Sequence, residues 1–179
     1  MKKVLGIHSQ LVTQKGFSLI ELLVVMGILG IVMVGLFVGL DPIGQFQKTN
    51  DANRKSDLSS IQKALEFYYQ DNGEYPASSG DFKIVNGSVT LNWGSSWQPY
   101  MNSLPSDPTG TKNYVYYSPA GSNGQTYYIY ASLERGENDP DTCNEGSACS
   151  TLLNGGGFPS AQACGETCNY GVSSPNVSP

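Results

Sequence analysis

Residues 15 to 38 read KGFSLIELLVVMGILGIVMVGLFV, an apolar run interrupted by one carboxylate, Glu21. The run is long enough for a helix that spans a bilayer, which needs roughly 20 apolar residues. Further along, Leu58, Ile61, Leu65 and Tyr68 recur at three- and four-residue intervals and predict one apolar face of an amphipathic helix. Asp51, Arg54, Lys55, Asp57, Lys63 and Glu66 fill much of its remainder. Asp71-Asn72-Gly73 with Pro76 behind it is a stop signal, because glycine readily takes the left-handed conformation at a helix C-terminus. The pattern therefore predicts a helix over residues 17 to 71, about 80 Å long at 1.5 Å per residue. Gly35, Gly39, Asp41, Pro42 and Gly44 weaken its middle, since Pro42 removes a helical hydrogen bond and glycines lower helix stability.

After this helix the period changes. FKIV and SVTL flank Asn86-Gly87, a pair suited to a two-residue hairpin turn. NYVYYS and QTYYIYASL flank PAGSNG and form a second strand pair. Their β-branched and aromatic residues fit a sheet with one face on the helix. Tyr114, Tyr116, Tyr128 and Tyr130 fall on alternating positions and read as sheet packing, with Trp93 and Trp97 as core or interface residues. The fold class is α+β: a long N-terminal helix, its first half spanning a membrane, packed on a small antiparallel sheet with a cysteine-rich, loop-rich C-terminal region. The tail SSPNVSP reads as flexible and exposed.

A carboxylate within a membrane run costs several kcal/mol unless it has a partner or a task. No Lys, Arg or His lies inside the run to supply one. Cleavage between Gly16 and Phe17 would create one, because the new α-amino group is cationic near neutral pH. An ordinary secretory signal has a shorter apolar core with its cleavage site after it. A plain anchor held by Lys2, Lys3 and Lys15 on the cytoplasmic side would leave Glu21 unexplained.

The segment GFSLIE, with basic residues before it and the apolar run after it, resembles the class III signal of type IV pilins and type II secretion pseudopilins. The likeness continues more loosely through DANRKSDLSSIQKALEFYYQDNGEYP, LPSDP and YVYYSP. It implies cleavage after Gly16 by a prepilin peptidase, N-methylation of Phe17, and a role for Glu21 in assembly. It divides the chain into a leader over 1–16, a helix over 17–71 whose segment 17–40 is transmembrane or filament core, and an extracytoplasmic head over 72–179. The implied partners are copies of the chain itself in a helical filament, an inner-membrane assembly platform and minor pilins. The implied location is a single-pass inner-membrane protein with a cytoplasmic N-terminus, then an extracytoplasmic filament. For the weak stretch around Pro42, the resemblance suggests melting on assembly, beside the simpler reading of a kink at the membrane exit.

The four cysteines, Cys143, Cys149, Cys164 and Cys168, would lie outside the cytoplasm, where disulfides persist. Two bridges are favoured, three pairings are open, and a zinc site competes without the tight C-x2-C knuckles that zinc prefers. Just before them, ERGENDPDTCNE gathers Glu134, Glu137, Asp139, Asp141 and Glu145 around one cation, Arg135. Pseudopilins resemble this chain in carrying a calcium loop after the last strand. The implied ligands are Glu137, Asn138, Asp139 and Asp141 with a backbone carbonyl near Leu133; a solvated acidic loop is the alternative. The loop departs from that pattern in containing Pro140 and in running into the cysteines. Near LPSDP, Thr109-Gly110-Thr111-Lys112-Asn113 also stands where the family has another sequence.

The chain has 179 residues, so a 16-residue leader leaves 163. Losing Lys2, Lys3 and Lys15 reduces the 10 basic residues to 7 against 15 acidic ones, taking the formal charge from −5 to −8. Such an acidic head does not suit direct nucleic-acid binding, which uses a basic face. The single histidine, His8, falls in the leader, so the mature chain would lack Ser-His and Cys-His pairs. No enzyme is expected and no cofactor is required beyond the candidate calcium ion. An anchored extracytoplasmic hydrolase is the rival from another functional class, and polymerisation separates the two.

Overall fold

The computed structural model describes residues 16–153 and 157–179. It contains two compact units, Met1–Pro42 and Ile43–Pro179. Of the leader expected over 1–16, all but Gly16, including His8 and Lys15, lies outside the described residues.

The first unit carries α1, Leu19–Leu40, in extended register with the apolar run. The window Leu19–Leu36 has a mean hydropathy of 2.7 and is wholly unburied. By length and composition it can cross a membrane. The expected continuous helix over 17–71 is interrupted: Asp41 adopts a left-handed conformation (φ 39°, ψ 65°), and a new helix, α2, starts at Pro42 and runs to Asn72. Proline disfavours the α conformation in the residue before it, and it is well placed at the first position of a helix, where its missing N–H is not needed. Pro42 therefore ends one helix and begins the next.

In the second unit α2 ends where its sequence predicts. Gly73 has φ +75° and donates its N–H to the Tyr69 carbonyl at 2.8 Å. Two antiparallel three-stranded sheets follow. The first comprises β1 (Ala77–Ser78), β2 (Ile84–Asn86) and β3 (Val89–Thr90) in sequential order. Its hairpin turn lies one residue later than Asn86-Gly87: Asn86 pairs with Val89, leaving Gly87 and Ser88 in the loop. Gly87 alone of these takes positive φ, and glycine at the first central position suits a type II′ turn.

The second sheet comprises β4 (Val115–Tyr117), β5 (Tyr128–Ala131) and β6 (Tyr170–Ser173), with Val115 opposite Tyr130 and Ile129 opposite Val172. β6 lies in the region expected to be loop. One face of this sheet lies on the helix as expected, and the opposite face is covered as well, because all four residues of β5 are buried. Tyr116, Ile129 and Ala131 join Leu58, Ile61, Ala64 and Leu65 of α2 in the main core. Val115, Tyr128 and Tyr130 face the other way and pack with Cys149, Leu152, Cys164 and Cys168. The cysteine-rich segment is thus a second cover for the sheet, and the alternating tyrosines serve opposite faces. Trp97 is core, and Trp93 packs against the same cluster.

The tail is tied down as well. The Ser174 N–H donates to the Tyr127 carbonyl at 3.1 Å, and Val177 packs on the second cluster. A polar composition concealed this docking because backbone groups make much of it.

Candidate functional site

The N-terminal candidate is local. Ser18 precedes α1 in extended conformation, and its backbone N–H donates to Glu21 Oε2 at 2.9 Å. Glu21 therefore occupies the third helical position of a Ser-x-x-Glu box, where a carboxylate satisfies a backbone donor and faces the positive end of the helix dipole. This partner was readable in Ser18-Leu19-Ile20-Glu21. Phe17, Glu21, Leu22 and Val25 border one pocket, and Phe17 is almost fully exposed. Gly16 lies immediately before this group, with open space around its Cα.

The head is organised around a guanidinium. Arg54, entirely buried, donates five hydrogen bonds. Its Nε and Nη2 fork onto Asp107 at 2.7 and 3.1 Å, its Nη1 reaches Asp51 at 2.8 Å and Glu134 at 3.0 Å, and Nη2 touches Thr109. Bidentate carboxylate pairs of this kind combine charge with fixed geometry. Asp107, the acid of LPSDP, also accepts the Thr109 hydroxyl and N–H at 2.6 and 2.9 Å. Burial works against its charge, but the bonds from Arg54 and Thr109 prevail and hold it below the usual carboxylate value. Arg54 is correspondingly raised: burial opposes its charge, and the surrounding carboxylates outweigh that cost. Asp51 uses its remaining lone pairs on the N–H groups of Glu134 and Arg135, at 2.8 and 2.9 Å.

Asp51 and Arg54 are thus core residues of α2. The polar pattern places them on its solvent side, yet 51, 54, 58, 61 and 65 continue the buried three- and four-residue spacing. That spacing was the available signal.

The acidic loop follows β5. Lys55 Nζ bonds Asp139 Oδ1 at 2.6 Å and Asp141 Oδ2 at 2.8 Å, and lies 5.5 Å from the Tyr170 ring centre. Asn169 bonds both backbone groups of Leu133, accepting its N–H at 2.7 Å and donating to its carbonyl at 3.1 Å. Glu137 and Asn138 border a pocket with Asp139, Pro140, Thr142 and Glu145. Of the five expected calcium donors, Asp139 and Asp141 converge on Lys55 Nζ, Glu137 and Asn138 line the adjoining pocket with Asp139, and Leu133 is held by Asn169. Among the described residues, no group of three or more His, Cys, Asp or Glu could hold a metal ion. The carboxylates of Asp139 and Asp141 are engaged by Lys55, and the Leu133 carbonyl by Asn169.

The cysteines pair locally, Cys143 with Cys149 and Cys164 with Cys168. Hydrogen bonds join the two loops: Cys149 N–H donates to the Cys168 carbonyl, and Cys143 N–H to the Asn169 carbonyl. The departure near LPSDP anchors this block. Lys112 pairs with Glu166 at 2.8 Å, and Asn113 donates through its N–H to the Cys164 carbonyl and through Nδ2 to the Ala163 carbonyl. The sequence pattern does not mark Lys112, Asn113 and Asn169 as anchors, because each acquires this role from residues at least 36 positions away.

An apolar α1 with Glu21 in its first turn, joined in sequence to a head built from a long helix and antiparallel strands, defines a membrane-anchored pilin-like protein. Residues 12–37 match the prokaryotic N-terminal methylation motif, and residues 42–145 match the type II secretion system protein G family. The chain belongs to the latter family. It is 33% identical over 101 residues to the type II secretion system core protein G of Pectobacterium carotovorum, covering 55% of this chain and 64% of that relative. The corresponding protein of Vibrio cholerae is 32% identical over 108 residues, covering 59% and 72%. That of Pseudomonas aeruginosa is 31% identical over 135 residues, covering 72% and 91%. No solved structure matches significantly.

Proposed function

We propose that the chain is a structural subunit of a type II secretion pseudopilus, polymerised through α1 after cleavage between Gly16 and Phe17. The observation that carries this reading is the wholly unburied apolar window Leu19–Leu36, with Glu21 as its one charged residue. Such a surface needs lipid before assembly and neighbouring helices afterwards. A head-to-tail contact between copies that does not close generates a helical fibre. Membership of the protein G family and the methylation motif support the same reading.

Cleavage would free the Phe17 α-amino group within a turn of Glu21, where methylation leaves it cationic. A Glu21 contact with that group, in its own chain or a neighbour, gains strength in a low-dielectric filament core. This supplies the carboxylate with a partner that the Ser18 N–H alone does not equal. A prepilin peptidase, an inner-membrane platform and other pseudopilins are the corresponding partners. The left-handed residue at Asp41 favours the Pro42 junction as the place where the helix yields on assembly.

The test is filament recovery by shearing. Wild-type chain should shear from cells as long oligomers, whereas Glu21→Ala should remain in the membrane and yield at least tenfold fewer filaments. Recovery of the wild type solely as monomer would favour the anchored-enzyme reading, and undiminished filaments from the variant would remove the role of Glu21.

A further inference from the structure

The acidic loop is gripped from one side of α2. Asp51 and Lys55 are four residues apart and therefore neighbours along the helix surface. Asp51 takes the N–H groups of Glu134 and Arg135 at the loop's start, while Lys55 takes the carboxylates of Asp139 and Asp141 further on. A carboxylate thus holds donors and an ammonium holds acceptors. Asn169 closes the remaining side by bonding Leu133 through both backbone groups.

These contacts engage three of the expected calcium donors, the Leu133 carbonyl and the carboxylates of Asp139 and Asp141. Calcium takes 6 to 8 oxygen ligands. Here the Leu133 carbonyl is engaged by Asn169, and the Gly136 and Asp139 carbonyls accept the Thr142 hydroxyl at 2.8 and 2.7 Å. Asp139 and Asp141 converge on Lys55 Nζ, whose charge would repel a divalent cation placed beside it.

We propose that the Lys55 ammonium is the resident cation of this loop, relieving the repulsion between Asp139 and Asp141 and ordering the segment without a bound divalent metal. The Tyr170 ring adds a third wall around the ammonium, and it belongs to β6, so the C-terminal extension helps hold the device together. The head of this subunit is consequently indifferent to the calcium concentration outside the cytoplasm.

The experiment is a thermal melt of the full mature chain in detergent micelles, in millimolar calcium chloride and in excess chelator. It reads the stability of the head and does not require the chain to polymerise. Wild type should melt at the same temperature in both. Lys55→Gln should melt about 2–4 °C lower, because two partly exposed ion pairs are lost and their acids are left adjacent. Lys55→Arg should retain most of the stability. Adding Asp139→Asn and Asp141→Asn to Lys55→Gln should cost less than the separate effects together, as coupled partners do. The proposal is overturned if calcium raises, or chelator lowers, the wild-type melting temperature, or if Lys55→Gln melts like wild type.

Discussion

Replacing Arg54 with Met keeps much of its volume and removes its charge. The variant abolishes five hydrogen bonds and leaves Asp51 and Asp107, whose side chains are 5% and 2% exposed, without their shared cation. Breaking a buried ion pair from one side costs about 3–5 kcal/mol, chiefly because a charge is left buried and uncompensated. At roughly 3 °C per kcal/mol for a chain of this size, melting at pH 7 should fall by about 10 °C. Arg54→Lys should fall between the two, since an ammonium retains the charge but loses the fork onto Asp107. The pH dependence provides a second reading. Asp107 is held below its ordinary value of 3.8, so its contribution is present above that value and is lost as pH falls through the folded-state value. Wild type should therefore lose stability below about pH 3.8, and the gap to Arg54→Met should narrow there. Circular-dichroism melts of the mature chain in micelles, between pH 7 and pH 3, measure both effects. A difference under about 1 kcal/mol at pH 7, or a gap that persists unchanged at pH 3, would refute the assignment of Arg54 as the charge-balanced hub of the head.

Two other outcomes concern covalent structure. Intact-mass analysis of assembled protein should give a chain beginning at methylated Phe17; residues 1–16 retained there would contradict the processing step. Non-reducing peptide mapping should recover Cys143–Cys149 and Cys164–Cys168, and Cys164→Ser with Cys168→Ser should destabilise the head by about 2 kcal/mol, the loop-closure value for so short a span. Recovery of a bridge between the two pairs would contradict the local pairing.

The sequence by itself determined the features that depend on near neighbours. The apolar run around Glu21, the Leu58-Ile61-Leu65 face, the stop at Gly73 and the tyrosine-rich strand pair are all set within a few turns or strand positions, where periodicity and glycine geometry act directly. Even the interruption at Asp41 follows from the local restriction that Pro42 imposes. Only the tertiary structure decided which charges of α2 are buried, which cysteines pair, and how the C-terminal segment supplies β6 and covers the second sheet face. Arg54 and Lys55 are adjacent cations in the sequence, yet one is sealed beneath Asp107 and the other is drawn over Asp139 and Asp141. Their difference arises because a charge is favourable in a folded interior only when distant backbone elements bring it compensating partners, and linear spacing does not carry that information.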